Sequence, residues 1–201
     1  MIASMRLKQI SLIIVVAALS ACTQEAELLN SERIEQRFGS YGVEILSHDA
    51  GVRRSSLYSV HDDTRVCRTY AVVRFIDENI ASIADAHAEV VAGQSIGATF
   101  KSAGWQIGKV TVHIGSVTLS DSDHMIGELM RLERPTELAV HAYQFVLQRD
   151  EIEIHYATIV ETHHPDYLSV ADLEDLFGES NEANLSADQI QKLSTLIMDM
   201  D

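Results

Sequence analysis

The sequence predicts an α+β fold: a single domain on an antiparallel sheet of about six strands, with helices mostly on one face. Three observations lead there. Apolar and polar residues alternate with period 2 in six segments, and short turn signals separate neighbouring segments. The period changes to the helical 3.6 between 80 and 103, again near 126, and again after 168. Residues 22–201 are enough for one hydrophobic core, and neither an internal repeat nor a low-complexity stretch divides them.

Taken in order, residues 23–40 are polar and acidic, with Leu28, Leu29, Ile34 and Phe38 at roughly helical spacing. They read as a tether containing a helix able to dock on the domain. Strands are expected at 41–47, 54–60 and 66–75, joined by Asp49-Ala50-Gly51 and by His61-Asp62-Asp63-Thr64. Sequential strands with such short turns form an antiparallel meander. Ile80, Ile83, Ala84, Val90 and Val91 mark one face of a helix that Gly93 ends. A shorter helix at 96–103 follows, with Ser95 as N-cap and Gly104 as stop.

Residues 105–117 alternate as a long strand carrying Ile107, Val110, Val112 and Ile114, and Ser120 or Asp121 caps a helix holding Ile126, Leu129 and Met130. Two more strands are expected at 137–148 and 151–162, with Arg149-Asp150 at the hairpin tip. Strict alternation places His141, Tyr143, Phe145 and Leu147 on the core face with Ile152, Ile154, Tyr156 and Thr158. It places Gln144, Gln148, Glu153, His155, Glu161 and His163 on the opposite, wetter face. Ser169 with Asp172 makes a capping box, Leu168 with Leu173 a hydrophobic staple, and Gly178 a stop. Residues 179–184 form a polar linker; Ser186 with Gln189 and Leu185 with Ile190 then repeat the start signals of a terminal helix whose stripe continues through Leu193 and Ile197.

The N-terminus is organised differently. Arg6 and Lys8 precede an apolar run at 10–19, too short for the roughly 20 residues that span a bilayer core. Met5 is an equally good start, since Met5-Arg6-Leu7-Lys8 suffices as a basic segment. Leu19-Ser20-Ala21-Cys22 follows and resembles the lipobox of bacterial lipoproteins. The resemblance covers residues 1–22 and implies that Cys22 carries a thioether-linked diacylglycerol and an acylated amino group, for example with palmitate, as the first residue of the mature chain. Several acyl chains at about 0.8 kcal/mol per buried CH₂ anchor a protein stably. Thr23, rather than Asp, at the next position implies sorting to the outer membrane in cells of the enteric type. The expected organisation is a signal peptide at 1–21, a lipid-anchored tether at 22–40, the α+β domain at 41–178, and a linker with a C-terminal helix at 179–201.

Charge and cysteine content narrow the function classes. The formal charge of −15 falls to −17 once 1–21, with two basic residues and no acidic one, is removed. Phosphate backbones and anionic headgroups repel such a chain, so nucleic acid is not an expected partner. With Cys22 lipidated, Cys67 has no partner for a disulfide, and its strand-like surroundings read as a buried, unreactive thiol.

Nine histidines raise the question of metal. The densest group of ligand types is Glu161-Thr162-His163-His164-Pro165-Asp166, and alternation puts His155 on the same side as Glu161 and His163. A zinc site from Glu161, His163 and one of His155 or Asp166 is sterically conceivable, with His164 as a further candidate ligand, but no His-Glu-x-x-His or Cys-x-x-Cys spacing accompanies it. No Gly-x-Ser-x-Gly is present, and Gly93-Gln94-Ser95-Ile96-Gly97 lacks the lysine of a phosphate loop.

The leading expectation is a non-enzymatic, outer-membrane-anchored, periplasm-facing lipoprotein, an accessory or protein-interaction module with an envelope partner and no cofactor. Two alternatives stand beside it. One is a metal-binding protein or metal-dependent enzyme using the His/Glu cluster at the last strand's end; the other is a small-ligand carrier with a pocket near Tyr143, Tyr156 and Trp105.

Overall fold

The computed structural model describes residues 28–76, 79–119, 125–133, 135–178 and 187–198. The signal-like segment, Cys22, the Ser120 and Asp121 caps, His124, the 179–184 linker and the Leu185-Ser186 signals lie outside the described residues.

Six strands form one antiparallel sheet in the order β1-β2-β3-β6-β5-β4. They are β1 (Gly42–Asp49), β2 (Val52–His61), β3 (Thr64–Phe75), β4 (Gln106–Leu119), β5 (Thr136–Arg149) and β6 (Ile152–His163). Two three-stranded meanders thus meet at β3 and β6, which pair from Thr69 opposite His163 to Phe75 opposite Ala157. The β2–β3 turn places Asp62 and Asp63 in the left-handed region (φ 47° and 60°), which the right-handed strand twist favours in tight hairpins and short acidic side chains tolerate.

Helices α1 (Asn30–Phe38), α2 (Ala84–Val91), α3 (Ile96–Ser102) and α5 (Val170–Phe177) cover one face of the sheet; α4 (Met125–Met130) and α6 (Ala187–Met198) lie against the other. The α+β architecture with helices mostly on one side is as the periodicity predicted. A 3₁₀ turn, Ala81–Ile83, leads into α2. None of the helices among the described residues is long and apolar enough to cross a membrane.

Local signals explain several boundaries. Ser169 Oγ accepts from Asp172 N–H at 3.2 Å while Asp172 Oδ2 accepts from Ser169 N–H at 2.8 Å, the reciprocal box that starts α5. Leu168 and Leu173 are both buried beside it. At α1 the first-turn Glu32 accepts from Leu29 N–H at 2.8 Å, and Gly39 ends the helix with φ 75°. This helix is more than a tether: Ile34 is fully buried among Ile114, Ala139, Tyr167, Leu168 and Leu173.

Two cores result. On the four-helix face, Val73, Phe75, Ile83, Val90, Phe100, Trp105, Phe145 and Tyr156 pack together, with the rings of Phe100 and Tyr156 edge to face at 4.6 Å. On the other face, Tyr70, Val72, Ile126, Met130, Leu138, Val140 and Val160 surround Cys67.

Candidate functional site

One residue of β6 decides what the middle of the sheet contains. Phe145 pairs with Ala157 but Val146 pairs with His155, so Tyr156 is an extra residue, a β-bulge that shifts the alternation by one. Before the bulge, Ile154 and Tyr156 face the four-helix side, as strict alternation predicts. After it, Ala157, Ile159, Glu161 and His163 face that side, and Thr158 turns to the opposite one, opposite Gln144. The expectation that Glu161 and His163 share the wet face with His155 is therefore corrected. They are 5 % and 1 % exposed, under α1 and α5, while His155 stays on the solvated face beside Gln144.

The pairing register places Glu161 between Ala71 of β3 and His141 of β5, and His163 opposite Thr69. Asn30, the first residue of α1, holds this group together. Its Nδ2 donates to Glu161 Oε1 at 3.0 Å and to Thr69 Oγ1 at 3.2 Å, and its Oδ1 accepts from the Tyr167 hydroxyl at 2.6 Å. Thr69 Oγ1 lies 3.0 Å from His163 Nδ1, and Tyr143 OH hydrogen-bonds Glu161. His141 Nε2 meets Thr111 Oγ1 at 3.2 Å, and its ring stacks on Phe177 at 4.4 Å. His141 Nδ1 and His163 Nε2 are buried without a hydrogen-bond partner.

Electrostatics follow from this burial. Burial pushes His163 down to about 3, helped by the positive charges of Lys109 and Arg33. Burial likewise holds His141 at about 3; Glu161 opposes the shift, and Lys109, His163 and Arg33 add to it. Both imidazoles are neutral at physiological pH. The Lys109 ammonium is lowered from its ordinary value, first by burial, with Glu161 opposing and Arg33 assisting. Burial, then the Glu161 charge, raises the Tyr143 hydroxyl.

Beside the polar group lies a cavity of about 60 Å³ between the sheet and the N-terminal ends of α1 and α3. Val73, Phe145 and Ile159 make apolar wall, and Lys109, Arg53 and Glu161 bring formal charges to it. Arg53 is 2 % exposed; its Nη1 donates to the carbonyls of Val90 at 2.8 Å and Gln94 at 3.1 Å, tying β2 to the end of α2, and its Nε has no partner. Lys109 Nζ stands 4.0 Å from Glu161 Oε2, 4.6 Å from the Tyr143 ring centroid and 5.2 Å from that of Phe177, and it makes no hydrogen bond among the described residues.

The proposed metal ligands are not brought together. His155 is on the far side of the sheet from Glu161 and His163. The His164 ring is used by the chain itself: Nε2 lies 3.1 Å from Met130 O and Nδ1 accepts from Asp166 N–H at 3.0 Å. Among the described residues no three His, Cys, Asp or Glu side chains converge on a point where a metal ion would sit. Of the three aromatics expected around a ligand pocket, Tyr143 lines the cavity, while Tyr156 and Trp105 belong to the packed core. Cys67 is buried, its thiol pushed up to about 12 by burial.

Sequence reading missed Asn30, Arg53 and Lys109. The adjacent Arg53-Arg54 pair carried a usable signal, because in an alternating strand one of two neighbours must face inward. Lys109 interrupts the inward row between Ile107 and Thr111, as a functional polar group would. Asn30 gave no signal, since its partners are 39 and 131 residues away. Comparison with protein-family models, with curated proteins and with solved structures finds no match to this chain.

Proposed function

We propose that this protein is a lipid-anchored accessory module of the bacterial cell envelope whose domain binds a small ligand in the cavity beside Glu161 and Lys109. The observation that carries the binding part is the cavity itself, a space of about 60 Å³ bordered by charged side chains whose hydrogen-bonding capacity the protein leaves partly unused. Buried polar groups are normally satisfied within a fold, and those that are not point to a role outside it. A binding role is favoured over catalysis because the surrounding groups are a fixed structural network. Glu161 is engaged by Asn30 and Tyr143, and the hydroxyls that meet imidazoles, Thr69 at His163 and Thr111 at His141, do not line the cavity. The anchoring part rests on Leu19-Ser20-Ala21-Cys22 behind a basic and apolar N-terminus.

Two experiments test the two parts. Ligand-observed NMR screening of small neutral, anionic and cationic fragments is run against the wild type and Ala71→Leu, which adds three carbons at a residue lining the cavity. Binding present in the wild type and lost in a folded Ala71→Leu variant is expected; no fragment showing that dependence overturns the binding reading. Metabolic labelling with a radioactive fatty acid is expected to mark the full chain and not Cys22→Ala, and equal labelling of both overturns the anchor.

A further inference from the structure

We propose that the cavity selects a compact monocarboxylate, with the carboxylate against Lys109 and a short apolar body along Val73, Phe145 and Ile159; this rests on the binding reading above. Three observations on the cavity wall lead there.

The first is charge. Of the ionisable side chains lining the cavity, Arg53 and Lys109 are cationic and Glu161 is anionic, an excess of one positive charge inside a chain whose formal charge is −15. A buried cation without a counter-charge is costly, and a site with one unit in excess is complemented by a monoanion. Among the described residues no carboxylate lies against Arg53: its surroundings are two backbone carbonyls and the phenols of Tyr41 and Tyr156.

The second is donor capacity. The Lys109 ammonium has three N–H groups and forms no hydrogen bond among the described residues. Glu161 Oε2, at 4.0 Å, is an ion-pair neighbour outside hydrogen-bond distance, and Oε1 is taken by Asn30. Arg53 Nε, nine-tenths buried and more, is a further donor without an acceptor. The unused groups of the two lining cations, the Lys109 ammonium and Arg53 Nε, are donors, and Glu161 is the single carboxylate among the lining residues, a pattern that favours an anion over an amine or a metal cation.

The third is size and polarity. A cavity of about 60 Å³ is well under half of the roughly 150 Å³ that takes benzene, so it receives a carboxylate group with at most about one further carbon, formate or acetate in size. The apolar Val73, Phe145 and Ile159 suit a short alkyl body, whereas inorganic phosphate would bring more charge than the site's single excess unit and no apolar part.

The test uses the folded chain and ligand-observed NMR with formate, acetate, propionate, the neutral isostere acetamide, and inorganic phosphate as probes. At least one carboxylate is expected to bind, with acetamide weaker by about tenfold or more and phosphate not competing. Lys109→Met is expected to weaken carboxylate binding by about tenfold or more, and Lys109→Arg to restore most of it. Equal binding of acetate and acetamide, both lost in Ala71→Leu, overturns the charge selection while leaving the cavity as a binding site. Carboxylate binding unchanged in Lys109→Met, or competed by phosphate, overturns the proposal likewise. Failure of every probe, together with failure of the broader fragment screen, overturns both readings; failure of the carboxylates alone overturns only this one.

Discussion

Lowering the pH should destabilise this protein well before its carboxylates titrate, because two imidazoles are buried in neutral form. His141 and His163 are held at about 3, against an ordinary 6.5 in the unfolded chain. A depressed folded-state value means that the unfolded state binds protons first. The stabilisation is thus complete above about pH 7 and is lost as pH falls through 6.5 toward 3. Between pH 8 and pH 5 each imidazole costs about 2 kcal/mol, and the pair about 4 kcal/mol. Neither is yet protonated in the native state at pH 5, so their mutual repulsion does not complicate the sum. Against the 5–15 kcal/mol typical of a domain this is a large fraction. Glu32 and Asp172, both held below their ordinary values of 4.5 and 3.8, act only at lower pH and leave this window clean. His164, lowered mainly by burial, adds in the same direction. The assay is urea unfolding at several pH values with wild type, His163→Gln and His141→Gln. Each variant should remove about half of the pH dependence contributed by the pair, whatever it does to stability at pH 8. A wild-type stability that changes by less than about 1 kcal/mol from pH 8 to pH 5 refutes the reasoning.

Other outcomes follow from the same geometry. Asn30→Ala removes hydrogen bonds to Thr69, Glu161 and Tyr167 and leaves buried partners unsatisfied, so a loss of about 2–4 kcal/mol in urea unfolding is expected, with faster amide exchange in α1. Cys67, 1 % exposed and titrating near 12, should resist maleimide in the native state and react at the rate of unfolding; prompt native labelling contradicts its placement. Tyr156→Phe deletes the 2.7 Å contact between Tyr156 OH and His87 Nδ1 and should cost about 1 kcal/mol. Deleting Tyr156 altogether removes the bulge but leaves Val146 opposite His155 and Phe145 opposite Ala157 in regular alternation, so Ala157, Ile159, Glu161 and His163 keep their face. A cooperative transition is expected to survive, weakened by about 3–5 kcal/mol through loss of the core ring.

Much of the scaffold was legible because its signals are local. Alternation located all six strands, the Asp62-Asp63 and Asp49-Ala50-Gly51 turns separated the first three, and the Ser169–Asp172 box marked the start of α5 to the residue. The candidate site was partly legible and partly inverted. Glu161 and His163 stood out as a group, but alternation counted through Tyr156 assigned them to the wrong face. Nothing in the composition of 151–163 announces a bulge, since the extra residue is accommodated by packing of Tyr156 against Phe75, Phe100 and Phe145 from distant parts of the chain.

The sequence by itself therefore determined the element types, the antiparallel meanders and the preference of helices for one face, because hydrophobic period and turn chemistry act over a few residues. It also carries the lipobox-like N-terminus, which no fold is needed to read. Only the tertiary structure decided that Asn30 of α1 meets Glu161 of β6, that Arg53 and Lys109 enter one cavity from opposite halves of the sheet, and that His155 and His163 part company. These depend on a one-residue register shift and on the order β3-β6 at the sheet centre, and both are settled by how whole layers pack rather than by any neighbouring residue.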